Sequence, residues 1–385
     1  MIRQILVLAL LVLLTVEARP KWEKLFKKSD NDRVPGQYIV ALKPGFKAEA
    51  FVTKVSTQKS PSFANCSFFH VYKSIINGFA AKLTPKGLEE LLSLEEVSLV
   101  EENGVVQAHQ AYPGSWGLDR VDQRYLPLDG QADFTGDGSG VNVYILDTGI
   151  YPSNTYFNGR ASVGYDAVGG ATGGIDCNGH GTHCSGTIGS DVYGIARGAS
   201  LIGIRVLNCL GSGSTSQVLE GLDWVQTWAR KPAVASMSLG GGVSVLLDAG
   251  VTSLTNSGVL VAVSAGNDDH EACQNSPARN PLAMTVGATD MQDARAYFSN
   301  YGTCLDIYAP GVDITSTWYG GPTATNTISG TSMACPHVAG AAVIALGNDN
   351  SLAPDALKQK IVNDATPDIV SDPKSGSPNL LLYIP

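Results

Sequence analysis

Val141 to Gly149 reads VNVYILDTG, an apolar run of strand length that ends on an aspartate and a turn. Similar runs follow: SLIGIRVL (Ser200–Leu207), AVASMSLGG (Ala233–Gly241), GVLVAVSAGN (Gly258–Asn267) and LAMTVGAT (Leu282–Thr289). They do not alternate apolar with polar, so both faces are to be covered, as in a parallel sheet between helical layers. Helix-like segments lie between them, SQVLEGLDWVQTWAR (Ser216–Arg230) and SVLLDAGVTSLTNSG (Ser244–Gly258). Alternating strand and helix from Trp116 onward predict one large α/β domain, a doubly wound, mostly parallel sheet with helices on both faces.

The segment before Trp116 has another texture. Met1–Ala18, MIRQILVLALLVLLTVEA, carries Arg3, an apolar stretch from Ile5 to Val16 and a small-residue end. That is the form of a secretory leader, and its apolar run falls short of the roughly 20 residues that span a bilayer. Residues 19–109 are richer in lysine and glutamate. They hold a strand-like QYIVALK (Gln37–Lys43), a stretch His70–Leu83 that reads as one strand, a helical TPKGLEELLSL (Thr84–Leu94) and a strand-like VSLVEEN. A small α+β unit is expected there, and the 385-residue chain divides into 1–18, 19–109 and 110–385.

Composition narrows the partners. Lysine plus arginine number 26 against 35 acidic residues, a formal charge of −9. No basic stripe offers itself to a phosphate backbone, which argues against nucleic acid, and no later stretch is apolar enough for a membrane. The acidic balance mildly favours cations. In an exported chain, cysteines are free to pair.

Three segments carry chemistry. Asp147 ends its strand, where catalytic groups gather in open α/β sheets, although a strand-end aspartate also simply forms turns. His180, in NGHGTHCSGTIGS (Asn178–Ser190), sits at a glycine-flanked helix start facing a cleft, while His183 reads as a packing residue. Two histidines three apart lack the HExxH spacing and a third ligand for zinc. Ser332, in SGTSMACPHVAGAAVIAL (Ser329–Leu346), precedes Pro336 by four residues. A proline is tolerated near a helix start, which puts Ser332 at the N-terminus with its N–H free to meet an oxyanion; a capping serine is the plainer alternative. Asn267, at a strand end, supplies a second donor. The GxSxG elbow of lipases and esterases is missing. Aspartate, histidine and serine in that order make an orienter, a base and a nucleophile.

The segments VYILDTGI, GHGTHCSGT, SMSLGGG, VSAGN and SGTSMACPHVAG resemble the subtilisin-like serine proteases, in the proteinase K branch, over about Trp116–Tyr383. Residues 38–106 resemble the inhibitor-type propeptide of these enzymes. The resemblance implies a secreted endopeptidase made as a self-processing zymogen. Asp147, His180 and Ser332 would be its triad, and Asn267 with the Ser332 N–H its oxyanion hole. Ser238-Leu239-Gly240 and Gly211-Ser212-Gly213 would be the strands flanking an extended polypeptide substrate, with broad apolar or aromatic preference. The propeptide would act as chaperone and inhibitor of a monomeric enzyme, cut between about Ala108 and Tyr112. A non-enzymatic binding protein that retains its cleaved propeptide is the alternative; a chain stopping at Pro385 favours the simple protease.

By the same resemblance, Cys177 would pair with Cys209 and Cys273 with Cys304, each worth roughly 3–4 kcal/mol. Cys184, four residues after His180, and Cys335, three after Ser332, are expected on the same helix faces as unbridged thiols beside the triad. Calcium, which takes carboxylate and carbonyl oxygens, would bind Asp306 with the carbonyls of Pro281 and Ala283. A second ion would bind Asp119, Asp122, Gln123 and Asp129. Asp364 is a weaker third candidate. The Asn65-Cys66-Ser67 sequon lies in the propeptide.

Overall fold

A computed structural model describes residues 24–27, 33–57, 61–72, 77–104 and 115–385. The leader and the expected cleavage segment lie outside these residues. The chain forms two compact units, residues 1–108 and 109–385.

The first unit contains β1 (Leu25–Phe26), β2 (Arg33–Leu42), α1 (Ala48–Thr57), β3 (Ser67–Val71), β4 (Gly78–Lys82), α2 (Pro85–Ser93) and β5 (Val97–Gly104). Its sheet runs β1-β5-β2-β4-β3. Thr84 caps α2, accepting from the Gly87 N–H at 3.1 Å, with Pro85 at the first helical position. Val40, Phe51, Phe79, Leu91 and Val100 form the core. His70–Leu83 is not one strand. β3 and β4 pair antiparallel, Val71 opposite Phe79, because both put apolar residues on the one face that α1 and α2 cover.

The second unit opens with α3 (Trp116–Val121) and continues through β6 (Asn142–Asp147), β7 (Ala161–Asp166), α4 (His180–Gly189), β8 (Ser200–Arg205) and α5 (Thr215–Trp228). Next come β9 (Ala233–Met237), β10 (Gly241–Gly242), α6 (Val245–Asn256), β11 (Leu260–Ser264), β12 (Asn275–Ser276) and β13 (Met284–Thr289). It ends with β14 (Ile307–Pro310), β15 (Ile314–Thr317), β16 (Thr325–Ile328), α7 (Thr331–Asn348), α8 (Pro354–Asp364), β17 (Thr366–Pro367) and β18 (Leu380–Leu381). The nine-stranded sheet has the order β17-β18-β14-β13-β11-β9-β6-β8-β7, parallel except for the β17–β18 edge.

Alternate residues of one strand serve two cores. Val143 and Ile145 join the layer with α4 and α7, and Tyr144 and Leu146 the layer with α5 and α6. This is why the strands read apolar throughout. Having built β7 and β8 on one side of β6, the chain crosses to lay β9 on the other. Clefts open at the carboxyl ends of strands beside such a reversal. Asp147 ends β6 there, and Ser238 follows β9.

Candidate active site

Asp147 is fully buried. Its Oδ1 accepts the Thr148 N–H at 2.7 Å and lies 2.8 Å from His180 Nδ1, with Oδ2 at 2.9 Å. His180 is the first residue of α4. The helix can start so close because Gly181 has no Cβ: one would lie 2.2 Å from the Gly149 carbonyl. The preceding Gly179 has φ 111° and lies against the Trp318 ring, where a side chain would be both strained and blocked.

One residue that the sequence reading overlooked binds these pieces together. Asp176 is buried, and its Oδ1 accepts from Thr148 Oγ1 and the N–H groups of Asn178 and Gly179, each at 2.9 Å. Its Oδ2 accepts from the N–H and hydroxyl of Thr182 at 2.9 and 2.5 Å. A single carboxylate thus joins the turn after Asp147 to the first turn of the His180 helix. An acidic residue just ahead of a helix is the signal that could have found it.

Desolvation, the largest influence on His180, opposes charging the ring. The Asp147 carboxylate, with Cys184 adding to it, outweighs that, and the pKa stands well above the ordinary histidine value. His183 is different. Buried, with Nε2 2.9 Å from the Ile314 carbonyl, it is pushed down to about 3 by desolvation and packs as a neutral ring.

Ser332 is the second residue of α7. Pro336, having no N–H, cannot donate to the Ser332 carbonyl four residues back. That carbonyl instead accepts from Ser238 Oγ at 2.9 Å and from Cys184 Sγ at 3.4 Å. Ser332 Oγ donates in turn to the Ser238 carbonyl at 3.1 Å, and among the described residues no hydrogen bond joins it to His180. Catalytic contacts often close only on the bound substrate. Asn267 Oδ1 accepts the Thr331 N–H and hydroxyl at 2.8 and 2.9 Å, which leaves Nδ2 free to donate. A methyl group placed on Gly330 would lie 3.6 Å from the Ser332 nitrogen and 3.7 Å from Asn267 Nδ2, so both donors border one space.

His180 and Ser332 line a cleft of about 600 Å³ with Ser238, Leu239, Gly240, Gly211, Ser212 and Gly213. Neither glycine-bearing segment belongs to a sheet strand. Gly211–Gly213 is an exposed turn in which Asn208 donates to the Ser212 carbonyl at 2.8 Å. A second cavity of about 410 Å³ lies between Leu239–Gly242 and Ser264–Asn267.

The disulfides Cys177–Cys209 and Cys273–Cys304 are both present, and Cys66, Cys184 and Cys335 are unbridged. Cys184 Sγ lies 3.9 Å from His180 Nδ1, and burial raises its pKa. Cys335 is buried beside Ser236 Oγ and pushed up to about 12.

The two expected cation sites differ. Asp119 accepts the N–H groups of Asp129 and Gly130 at 3.2 and 2.9 Å, and Gln123 Oε1 also faces the Asp129 N–H, at 3.3 Å. Asp122 Oδ2 accepts from Asp133, but its Oδ1 is buried without a partner. Burial and the neighbouring carboxylates of Asp119, Asp129 and Asp133 push its pKa up to about 6. An orphaned carboxylate oxygen among like charges fits a hard divalent cation. At Asp306 the expectation fails. Lys358 Nζ stands 2.9 Å from the carboxylate, 3.1 Å from the Pro281 carbonyl and 2.5 Å from that of Ala283. With an ammonium group there, these oxygens do not fit calcium. Asp364 is likewise met by Lys360 at 2.8 Å.

Residues 138–380 match the subtilase family, peptidase S8, and residues 37–109 the peptidase inhibitor I9 family. An extracellular serine proteinase of Thermus sp. is 45% identical over 92% of this chain and 90% of its own length. Proteinase R of Parengyodontium album is 39% identical, over 92% and 90%. The crystal structure of a cold-adapted subtilisin-like serine proteinase aligns with a TM-score of 0.69 at 48% identity, covering 71% of this chain and 98% of the other. The chain therefore belongs to the subtilase family and is a serine endopeptidase that carries an I9 inhibitor-type propeptide ahead of its catalytic domain.

Proposed function

We propose that the chain is exported, loses a leader over residues 1–18 and a propeptide over 19–109, and acts as a monomer of residues 110–385 that cuts polypeptides through an acyl-enzyme. The observation that carries this reading is the hydrogen-bonded Asp147–His180 pair opening on the same cleft as Ser332.

Ser332 Oγ leaves the Ser238 carbonyl, gives its proton to His180 Nε2 and bonds to the scissile carbonyl carbon. Asp147 holds the Nδ1 proton and stabilises the imidazolium. The oxyanion accepts from the Ser332 N–H, at the positive end of α7, and from Asn267 Nδ2. The imidazolium then protonates the departing amine, leaving the acyl-enzyme. Water, deprotonated by the same imidazole, releases the acid and restores Ser332. Ser238–Gly240 and Gly211–Gly213 offer backbone edges to an extended substrate. The cavity beside the small residues Ser264, Ala265 and Gly266 leaves room for a large substrate side chain, apolar or aromatic in this reading. The propeptide serves as chaperone and inhibitor until it is cut between about Ala108 and Tyr112. Asp119, Asp122, Gln123 and Asp129 would hold a structural calcium, whose charge would offset the repulsion among their carboxylates and serve stability alone.

The test incubates the purified exported protein with casein, with and without a serine-directed fluorophosphonate, beside Ser332→Ala. Hydrolysis that is blocked by the label and absent from the variant is expected; hydrolysis surviving in Ser332→Ala rejects the assignment. N-terminal sequencing of the mature protein checks the cleavage point.

A further inference from the structure

Asp306 stands just ahead of β14, and Ala283 just ahead of β13. Asp306 Oδ2 accepts the Thr285 N–H at 2.8 Å, and the Asp306 N–H donates to the Thr285 carbonyl at 3.0 Å. The carboxylate is therefore fixed between two adjacent strands. Beside it are the carbonyl oxygens of Pro281 and Ala283, so three groups, carrying one negative charge between them, face a common point. Such a cradle suits a cation.

The point is filled from another element. Lys358 lies on α8, whose Leu357 and Ile361 are buried in the main core. Its Nζ lies 3.1 Å from the Pro281 carbonyl, 2.5 Å from the Ala283 carbonyl and 2.9 Å from the Asp306 carboxylate. An ammonium group has three N–H donors, and here three acceptor groups receive them. Calcium binds oxygen at about 2.3–2.6 Å. An ion that close to these same oxygens would overlap Nζ and repel it.

We infer that Lys358 is a tethered replacement for a metal ion, joining α8 to the starts of β13 and β14. The cation belongs to the chain, so its occupancy does not depend on dissolved calcium, and a chelator cannot remove it. The protein then has two kinds of cation support: an exchangeable one at Asp119–Asp129 and a covalently attached one at Asp306. The inference stands apart from the proteolytic mechanism, because none of its residues lines the cleft.

Lys358→Met keeps the aliphatic stem and removes the charge. Metal analysis after gel filtration in calcium should find one more calcium per chain in this variant than in the wild type. Its melting temperature, lowered in chelator, should recover in millimolar calcium. A variant that takes up no additional calcium overturns the inference. Should Lys358→Met fail to fold, the wild type decides. Asp306→Asn should leave its calcium content unchanged, and crystals grown with calcium should give no anomalous peak among Asp306, Pro281 and Ala283. A calcium lost on Asp306→Asn, or such a peak, would show that the metal displaces Lys358 and would sink the inference.

Discussion

Ser238 and Ser332 hold one another through two reciprocal hydrogen bonds: each hydroxyl donates to the other's carbonyl, at 2.9 and 3.1 Å. The first does not involve Ser332 Oγ, so it should persist if that hydroxyl turns toward His180, with Ser238 keeping the start of α7 against the end of β9. Ser332→Ala should lower hydrolysis by about 10⁶-fold, as losing a nucleophile does elsewhere, and should leave the full-length chain uncut. Expression in a protease-free host, followed by gel analysis, checks both. Ser238→Ala should fold, yet lose part of kcat with KM little changed.

Asn267→Ala removes one oxyanion donor and should cost about 10²–10³ in kcat. Thr331→Val leaves that amide in place but takes away the hydroxyl bonded to Asn267 Oδ1. Its loss should be smaller and should also fall on kcat. Steady-state kinetics on one peptide substrate separate the two; a Thr331→Val loss confined to KM would contradict the oxyanion role.

In the proposed mechanism His180 must be neutral to accept a proton, and Asp147 holds its pKa well above the ordinary histidine value. Activity is therefore present above that raised pKa and is lost as pH falls through it. The acid limb of kcat/KM should lie above the roughly 6.5 of a free histidine. Asp147→Asn should move the limb down and lower kcat by about 10⁴.

Asp176→Ala would leave five donors without their acceptor, most of them buried, at about 1–3 kcal/mol for each that water cannot reach. The melting temperature should fall. Catalysis should fall further than stability explains, because a misplacement of about 1 Å at His180 costs around a hundredfold. Comparing kcat well below both melting points isolates that part.

Calcium should raise the melting temperature, by about 2.7 kcal/mol of stability at a hundredfold excess over Kd. Asp122→Asn should weaken this response and make the chelated protein more stable than the chelated wild type, since it removes a like charge from a crowded cluster. Thermal scans of both proteins with and without chelator measure it.

The five neighbouring strands β6, β8, β9, β11 and β13 were legible, and Asp147, His180 and Ser332 stood out, because short apolar runs, glycine-flanked turns and a proline near a helix start are local signals. The contacts that make them work are not. Lys358 reaches oxygens 52 to 77 residues away, and nothing in the pattern of α8 distinguishes it from an exposed lysine. Thr331 carries no local mark of its role, and its grip on Asn267 exists only once β11 and α7 meet. His70–Leu83 misled because it spans parts of β3 and β4, and Val71 and Phe79 on these two strands serve the same core.

Helix α7 is enclosed along nearly all its length, from Thr331 to Leu346. Its surroundings come from strands and helices far away in the chain, so its packing should be completed late in folding. Parallel sheets with crossover connections depend on long-range contacts and assemble slowly. On the proposed mechanism Asn267, His180 and Ser332 act only where that packing is complete. An unfinished chain should therefore not cut, and the onset of proteolysis should serve as a clock for completed folding.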